Sequence, residues 1–506
     1  TATFAAATGL SRVLGLVREI VARRYFGVDG AGINAFTAAF QIPNLVRALV
    51  ADFALAPAFV PVFSELIERG ERARAWRVAS TLFWLLLLGL GALTALFVLV
   101  APLVIAPFGF AGEQEELAVT LARILFPIVA LLGVSGVIVG ILNTYDQFTV
   151  PALTPVFWNL AIIVGLVIGV PYTDSESAAL YVYAGSIVAG TVIQVLLPVP
   201  WLRGLDGRLR VAIDWRDPAV RRVFVLMGPV VLGLGLINFN QVIGTVFAAR
   251  LIDPALAPAA IDAAFRVYML PQGIFSVAVA TVLFPSLARL ATRADWDGFR
   301  GTVSVGLRQI AFLLVPASVA SAVLAEPIVR LLYERGEFGP HETTVVAGAL
   351  AAFSLGLTFN GMMLMLNRAF FSLQSPWTPT AVALGNLVLN TALYYALYRV
   401  GTWGIPLAIS LANIAGTVAL LLLLRRRLGR IDFGRIAASL ARVILASWAL
   451  ATVAYGVFVG LDGRVPLALS LVAALVAGAV AYAVSARLLG VPELEALLAL
   501  RRRRGG

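Results

Sequence analysis

Residues 33–44 read INAFTAAFQIPN, and residues 261–272 read IDAAFRVYMLPQ. In both stretches an isoleucine, an Asn or Asp, an alanine and a proline stand at the same spacing, 228 residues apart. A second pair, LNTYDQFTVPALTP from Leu142 and LNRAFFSLQSPWTP from Leu366, lies at nearly the same offset. Two such pairs indicate an internal repeat, and this repeat decides the architecture. The alternative is chance similarity between apolar helices.

The composition is that of a membrane protein. Of the 506 residues, 60% are hydrophobic and 13% are charged, whereas a soluble protein carries about twice that share of charge. These values exclude intrinsic disorder and disfavour a water-soluble enzyme. At about 35 residues for one crossing and its loop, the apolar runs predict about 14 membrane-spanning helices. These spans, numbered 1 to 14, are residues 4–26, 31–63, 78–106, 117–142, 150–170, 178–202, 223–250, 260–287, 304–332, 343–373, 377–399, 402–424, 439–459 and 465–488.

The repeat groups these spans into two halves. Six spans in each half give both halves the same orientation, which predicts a parallel repeat with a binding site between the halves. We therefore expect an all-α polytopic membrane protein with two parallel six-helix repeats plus two C-terminal helices. The expected domains are an N-terminal lobe at 1–222, a C-terminal lobe at 223–438, and two extra helices with a basic tail at 439–506.

The distribution of arginine predicts the orientation of the chain. If the N-terminus is cytoplasmic, the inside segments hold most of the arginines, and acids such as Glu113 and Glu115 lie outside. The arginine-rich segments are residues 69–77, 203–222, 289–300, 425–442 and 501–504. This asymmetry is typical of cytoplasmic loops, so both termini are expected in the cytoplasm. Span 1 carries Arg12 and Arg18 in its apolar stretch, so no cleavable signal peptide is expected.

Ionised side chains inside the spans are the main functional signal. Arg12, Arg18, Arg47 and Arg266 lie within spans 1, 2 and 8. Each would cost about 2.5–3.5 kcal/mol at mid-bilayer unless it meets water, an acid or an anion. At 100° per residue, Arg12 and Arg18 share one stripe of span 1 with Ser11 and Glu19, and the opposite face is apolar. Because the repeat sets spans 2 and 8 against each other, we expect the four arginines to converge on one cavity.

The acids near these arginines are few, namely Glu19, Asp52 and Asp262, and Arg368 is a fifth interior arginine. An excess of fixed positive charge calls for an anion, and the guanidinium fork matches two phosphate oxygens. The residues thus favour a transporter of a phosphate-bearing substrate. The alternative is that the arginines pair with Glu19 and Asp52 and brace the bundle.

Other chemistry is not signalled. The chain has no cysteine and one histidine, His341, which is expected in a solvated loop. No metal site or cofactor is expected, and no Walker loop, GxSxG or HExxH motif is present, so we do not expect an enzyme. The basic residues indicate topology, and no nucleic-acid partner is expected.

Several long motifs carry a family resemblance. These are SRVLGLVREIVARRYFG at 11–27, AFQIPNLVRAL at 39–49, AFVPVFSE at 58–65, GILNTYDQFTVPALTPVFWNLA at 140–161, LPQGIFSVAVATVLFPSLARL at 270–290 and RAFFSLQSPWTP at 368–379. The chain resembles the MurJ (MviN) lipid II flippase family of the multidrug/oligosaccharidyl-lipid/polysaccharide exporter superfamily. The resemblance covers essentially the whole chain, including the two extra helices.

The resemblance implies transport of lipid II, the undecaprenyl-diphosphate disaccharide-pentapeptide, to the outer leaflet of the bacterial cytoplasmic membrane by alternating access. It assigns the cavity to arginines that match Arg12, Arg18, Arg47 and Arg266. It places the polyprenyl tail in a groove involving residues 439–488. We expect supporting cavity residues at Ser11, Glu19, Asn34, Asp52 and Arg368. Membrane lipids and other cell-wall synthesis proteins are the expected partners.

The chain departs from the family pattern at several positions. Asn34 stands where many relatives have Asp, and Asp52-Phe53 stands where they have Glu-Gly. Gly244 and Tyr394 occupy the acidic positions of a sodium site found in some members, so sodium coupling is not expected. Two alternatives stay open: an exporter of another lipid-linked oligosaccharide or amphipathic anion, and a non-transporting scaffold of the cell-wall machinery.

Overall fold

The computed structural model describes residues 2–47, 55–429 and 433–494. These residues form helices and the connections between them, and they contain no strand. Apolar segments of this length become helices because a helix satisfies its own backbone hydrogen bonds. The helices are α1 Ala2–Phe26, α2 Ala31–Arg47, α3 Leu55–Glu68, α4 Arg72–Leu99, α5 Ala101–Ile105, α6 Glu113–Leu125, α7 Pro127–Thr144, α8 Thr149–Val164, α9 Glu176–Leu196, α10 Pro218–Phe247, α11 Ala257–Pro271, α12 Val277–Thr292, α13 Trp296–Val323, α14 Ala325–Tyr333, α15 Pro340–Ser372, α16 Trp377–Leu397, α17 Gly404–Leu428, α18 Phe433–Leu461 and α19 Leu467–Leu488.

The helices agree with a polytopic membrane fold. Within the described residues, 11 helices or joined helices are long and apolar enough to cross a membrane. This confirms the predicted all-α fold class, whereas the count of about 14 spans stays a prediction. The helices α1 and α10 are not among the 11. Predicted span 31–63 is described as α2 and α3, and residues 48–54 between them lie outside the described ranges.

The chain packs into two compact units. The first comprises Thr1–Ala259 together with the short segment Arg335–Phe338, and the second comprises Ala260–Glu334 and Gly339–Gly506. Helix α10 packs on α2 and α3 inside the first unit. The lobe boundary at residue 222, which was inferred from the repeat, stays a prediction.

The ends of α7 and α15 support the internal repeat. Asp146 follows α7 with φ 59°, and Gln374 follows α15 with φ 53°. The N–H of Gln147 donates to the Leu142 carbonyl at 2.9 Å, and the N–H of Ser375 donates to the Phe370 carbonyl at 3.0 Å. Both are the i to i−5 bonds of a left-handed helix cap. The two caps lie 228 residues apart, which is the offset of the first pair of motifs.

Helix α1 exposes apolar side chains and buries a charged one, which is the reverse of the pattern in a soluble protein. Leu10, Val13 and Val17 are exposed, whereas Glu19 and Ala22 are buried. The buried side packs on α8. Hydrocarbon accepts the apolar face and rejects charge, so ionisable residues of a membrane helix turn toward protein or a hydrated cavity. The predicted polar and apolar faces of span 1 are therefore visible in the first unit.

In the second unit, α15 packs between α13 and α17 through small residues. Ser410 Oγ donates to the Ala352 carbonyl at 2.7 Å, and Thr417 Oγ1 donates to the Phe359 carbonyl at 2.8 Å. Small side chains of this kind let membrane helices approach closely. The last two helices dock on α13, where Tyr482 of α19 donates to the Phe312 carbonyl at 2.7 Å.

Candidate functional site

Arg18 occupies a polar site between α1 and α8 of the first unit. Its Nη1 donates to Asn159 Oδ1 at 3.2 Å, and its guanidinium carbon lies 4.8 Å from the centroid of the Trp158 ring. The side chain is 12% exposed, and its buried Nε has no hydrogen-bond partner in the described part of the chain. An indole face and an amide oxygen both attract a cation, so these two groups fix the position of the guanidinium.

Glu19 lies between two arginines. Its Oε1 is 3.0 Å from Arg23 Nη2, and its Oε2 is 3.7 Å from Arg18 Nη2. Arg23 Nη1 also donates to the Gly27 carbonyl at 3.4 Å. Glu19 and Arg23 are both buried, so this pair anchors the end of α1. The alternative bracing role therefore fits Glu19 and Arg23 better than it fits Arg18.

Asn159 joins the two helices, although no functional role is predicted for it from the sequence. Its Nδ2 lies 2.9 Å from the Pro155 carbonyl and 3.3 Å from the Ser11 carbonyl. Ser11 thus contributes its backbone oxygen to the same cluster as Arg18. A buried amide that both accepts from a cation and donates to carbonyls fixes the position of the cation.

Arg12 lies outside this cluster. It is exposed, and it has no ion-pair partner among the described residues. Arg12 precedes Arg18 by six residues, which corresponds to about 9 Å along the helix axis. Of the two arginines of α1 that were predicted as site residues, Arg18 is held by neighbouring side chains and Arg12 is exposed.

Asn34 is completely buried at the start of α2. Its Nδ2 lies 2.9 Å from the Val28 and Gly30 carbonyls and also contacts the Ala255 carbonyl, while its Oδ1 accepts from Ala259 N–H at 2.8 Å. These contacts tie the α1–α2 turn to Ala255 and to the first turn of α11. An amide can donate to the carbonyls, whereas an ionised Asp cannot, so the departure from the family pattern at this position has a structural reason.

The side chains of two predicted site residues of span 2, Arg47 and Asp52, are not among those that the structure describes. Arg47 is the last described residue of α2, and its side chain lies outside the description. Asp52 lies outside the described residues. Their predicted roles therefore stay predictions.

The second unit contains Arg266 and Arg368. Arg266 Nε donates to Asp262 Oδ2 at 2.9 Å, one helical turn earlier in α11. The Arg368 guanidinium carbon lies 5.3 Å from the centroid of the Phe284 ring. The Arg266 side chain is 34% exposed and that of Asp262 is 17% exposed, so the pair is partly screened by solvent and the guanidinium can exchange its partner for another anion. Convergence of Arg12, Arg18, Arg47 and Arg266 stays a prediction.

One cavity and the spacing of possible metal ligands also bear on what the protein could bind. A cavity of about 610 Å³ is lined by Arg300, Arg427 and neighbouring residues, and no predicted site residue lines it. The described residues contain no group of three His, Cys, Asp or Glu side chains with metal-binding spacing. At the position considered for sodium, Tyr394 is buried and belongs to α16.

Sequence comparisons identify one family. A family model described as lipid II flippase MurJ matches residues 22–476. The lipid II flippase MurJ of Burkholderia cenocepacia is 32% identical, over 83% of this chain and 82% of that protein. The probable lipid II flippase MurJ of Rhizobium tropici is 34% identical, over 84% of this chain and 80% of that protein.

Solved structures have the same fold. A lipid II flippase MurJ in an inward closed conformation matches with a TM-score of 0.81 and 24% identity, covering 96% of this chain and 98% of that chain. An inward-facing multidrug resistance MATE family transporter of the MOP superfamily matches with a TM-score of 0.72 and 18% identity, covering 83% and 94%. At these identities the two structures indicate the fold alone.

Proposed function

The chain belongs to the lipid II flippase MurJ family, and from this membership we propose that it carries lipid II from the inner to the outer leaflet of the bacterial cytoplasmic membrane. It is a multi-pass membrane protein of a transporter family rather than of an enzyme family. The proposed substrate joins a diphosphate to a polyprenyl tail and a sugar-peptide head. Transport must therefore bring two phosphates, which are anionic at neutral pH, through a region that excludes charge.

The four arginines are the proposed diphosphate ligands, namely Arg12, Arg18, Arg47 and Arg266. The assignment rests on the surroundings of Arg18. Its guanidinium is only 12% exposed and is held by an amide and an indole. Its Nε has no hydrogen-bond partner in the described part of the chain. A guanidinium stays charged at every physiological pH. Such a group can stabilise a diphosphate without waiting for a proton, and its planar fork matches two oxygens at once.

Ser11, Glu19, Asn34, Asp52 and Arg368 are the proposed supporting residues. Glu19 contacts both Arg18 and Arg23, so its role in this proposal is to orient Arg18 rather than to touch the substrate. Asn34 would act at a distance by fixing the start of α2, the helix that carries Arg47. Neither role requires these residues to bind phosphate.

The proposed mechanism is alternating access of the two six-helix halves. The diphosphate enters a cavity open to the cytoplasm, the halves rock, and the cavity opens outward while the tail stays in lipid. A membrane potential that is negative inside favours outward movement of negative charge by about 2.3 kcal/mol per charge per 100 mV. Both termini are proposed to be cytoplasmic, and cell-wall synthesis proteins are proposed partners.

The test is outward accessibility of lipid II in cells whose own flippase is depleted. A membrane-impermeant enzyme that cleaves lipid II reports the fraction in the outer leaflet. We expect this chain to restore accessibility and each of Arg12→Ala, Arg18→Ala, Arg47→Ala and Arg266→Ala to reduce the rate about tenfold or more, because bonds to charged groups contribute about 1.5–3 kcal/mol. Arg69→Ala is the matched control, since Arg69 pairs with Glu65 on the surface.

The outcomes separate the function from the site. If the unchanged chain restores no accessibility, the function is wrong, and an exporter of another lipid-linked oligosaccharide or a non-transporting scaffold becomes the better interpretation. If the chain restores accessibility and all four variants transport at the unchanged rate, only the arginine assignment is wrong. Expression and thermal stability of each variant are measured in parallel, because Arg18 also contacts α8.

A further inference from the structure

The connection between α9 and α10 contains an extended segment, residues 206–217, which we name the strap. Carboxylates at its two ends bind arginines at the start of α4. Asp206 Oδ2 lies 3.1 Å from Arg72 Nη1, and Asp217 receives Arg74 Nε and Nη2, each at 3.1 Å. Asp206 also accepts from Trp76 Nε1 at 3.3 Å. A two-pronged pair such as that of Arg74 fixes geometry as well as charge.

The middle of the strap is hydrogen-bonded along α4. The N–H of Arg210 donates to Ser80 Oγ at 3.1 Å, and the N–H of Asp214 donates to Thr81 Oγ1 at 3.1 Å. The indole N–H of Trp84 donates to the Arg210 carbonyl at 2.9 Å. Side chains of one helix therefore satisfy backbone groups of an irregular segment, which is the condition under which irregular backbone tolerates an apolar environment.

The outward side of the strap is apolar. Val211, Ile213 and Trp215 are 80%, 49% and 64% exposed, whereas Ala212 and Asp214 between them are half-buried. This alternation is that of an extended chain with one face on the protein. The exposed side chains therefore form a narrow apolar strip.

Arginines frame this strip. Arg208, Arg210 and Arg216 are exposed, and the Arg216 guanidinium carbon lies 5.2 Å from the centroid of the Trp215 ring. Aromatic side chains beside arginines are typical of the boundary between lipid headgroups and hydrocarbon. Long arginine stems can lie along apolar surface while their charged ends reach water or phosphate.

The geometry of α4 sets the depth of the strap. α4 has 28 residues, and at 1.5 Å per residue it is about 42 Å long, which exceeds a hydrocarbon thickness of about 30 Å. The first turns of α4 carry Arg72, Arg74 and Arg77, so the excess length belongs at this end. If the hydrocarbon covers the last 20 or so residues of α4, its edge falls near Ser80 and Thr81, the residues that hold the strap.

We infer that the strap lies in the interfacial layer of the bilayer, with Val211, Ile213 and Trp215 in contact with lipid. A lipid surface explains the strip better than a protein partner does. The strip adjoins the lipid-facing surface of α4, where Leu88 is exposed, and its arginines complement an anionic leaflet. The strap then holds α4 and the start of α10 at a fixed depth in one leaflet.

The experiment uses the full chain, which contains no cysteine. A nitroxide is attached at Val211→Cys in nanodiscs of phosphatidylglycerol and phosphatidylethanolamine, and its collision rates with oxygen and with a polar nickel complex are measured. Glu68→Cys at the end of α3 is the aqueous control, and Leu88→Cys on α4 is the hydrocarbon control. We expect the oxygen and nickel collision rates at Val211 to lie between those of the two controls, with nickel collisions several-fold fewer than at Glu68.

A second label distinguishes an inserted strap from a loosened one. At Ala212→Cys, on the protein-facing side, both oxygen and nickel collisions should fall below those at residues 211 and 213. A label at residue 211 that collides with nickel as often as the Glu68 label overturns the inference. So does equal accessibility at residues 211, 212 and 213, because that pattern describes a segment in water.

Discussion

Asn159 of α8 accepts a hydrogen bond from Arg18 of α1 at 3.2 Å, across 141 residues of sequence. The first prediction concerns this bond. Asn159→Ala removes the acceptor and the donor to the Ser11 carbonyl, so we expect a loss of about 1–3 kcal/mol in unfolding free energy. Thermal unfolding in detergent measures it.

The Arg18→Ala and Asn159→Ala changes should also be non-additive. A double-mutant cycle measures the energy that the two residues share, and contacting residues commonly share about 0.5–3 kcal/mol. Strict additivity of the two single changes would contradict the described contact. Asn159→Asp keeps the acceptor and serves as the conservative variant.

The second prediction concerns Asp262, which accepts from Arg266 Nε at 2.9 Å. Asp262→Asn removes a carboxylate that competes with a phosphate for the guanidinium. If Arg266 binds the diphosphate, affinity for undecaprenyl diphosphate should rise several-fold, as measured by titration in native mass spectrometry. Asp297→Asn, at a 95% exposed side chain, is the control. Unchanged or weaker binding would remove Arg266 from the proposed ligand set.

The third prediction compares two ion pairs of the second unit. Glu493 lies 3.1 Å from Arg308 with side chains 5% and 20% exposed, and it also accepts from Ser439 of α18. Glu493→Ala leaves a largely buried cation, so we expect a loss of about 3 kcal/mol in unfolding free energy. Asp462→Ala breaks an exposed pair with Arg330 and should cost at most about 1 kcal/mol. Similar losses at the two sites would contradict the burial of the first pair.

The fourth prediction is the acid sensitivity of the strap. The Tyr145 hydroxyl, Trp76 and Arg72 lower the pKa of Asp206 below the ordinary aspartate value of 3.8. Arg74 does the same to the pKa of Asp217. A carboxylate with a depressed pKa stabilises the fold above its unfolded pKa, and this contribution is lost as the pH falls through the folded value. Nitroxide mobility at residue 211 should therefore stay constant from pH 7 down to 3.8 and rise only at a lower pH, where the carboxylates of the folded protein take up protons.

At high pH, ionisation of the Tyr145 hydroxyl should also weaken the strap. Burial and the bond to Asp206 raise the pKa of Tyr145 to about 12. A group with a raised pKa stabilises the fold below its unfolded pKa and loses this contribution as the pH rises through the folded value. Tyr145→Phe should abolish any change near pH 12, and Asp217→Asn should give the acid-loosened strap at neutral pH. A strap that is equally mobile in Asp217→Asn and in the unchanged chain at pH 7 would be evidence against the Asp217–Arg74 pair as its fixing contact.

Much of the fold could be predicted because its signals are periodic and local. Apolar runs located the helices to within a few residues, as for span 377–399 and α16 at Trp377–Leu397. The two faces of α1 followed from its angular pattern. The break between α6 and α7 at Phe126 was not predicted, although Pro127 at the first position of α7 was a usable signal.

The candidate site was predictable only in part. Arg18 stood out because a charge inside an apolar helix is costly, but Asn159 did not, since one polar residue in a span has many possible partners. Arg23 falls at the end of predicted span 1, and its i+4 spacing from Glu19 was a usable signal for the ion pair between them. From the sequence, the strap was recognised only as an arginine-rich segment. The alternation of exposed and half-buried side chains along it arises because one side of the strap packs on α4.

The left-handed backbone conformations of Asp146 and Gln374 are positions at which a substitution could raise the thermal stability of the protein. An L residue with a side chain pays about 1–2 kcal/mol there, less for Asp than for most others. Glycine relieves this strain but adds freedom to the unfolded chain, so Gln374→Gly should yield the larger net gain. Because the caps after α7 and α15 have the same backbone geometry, we expect a substitution that raises thermal stability at one of them to do so at the other.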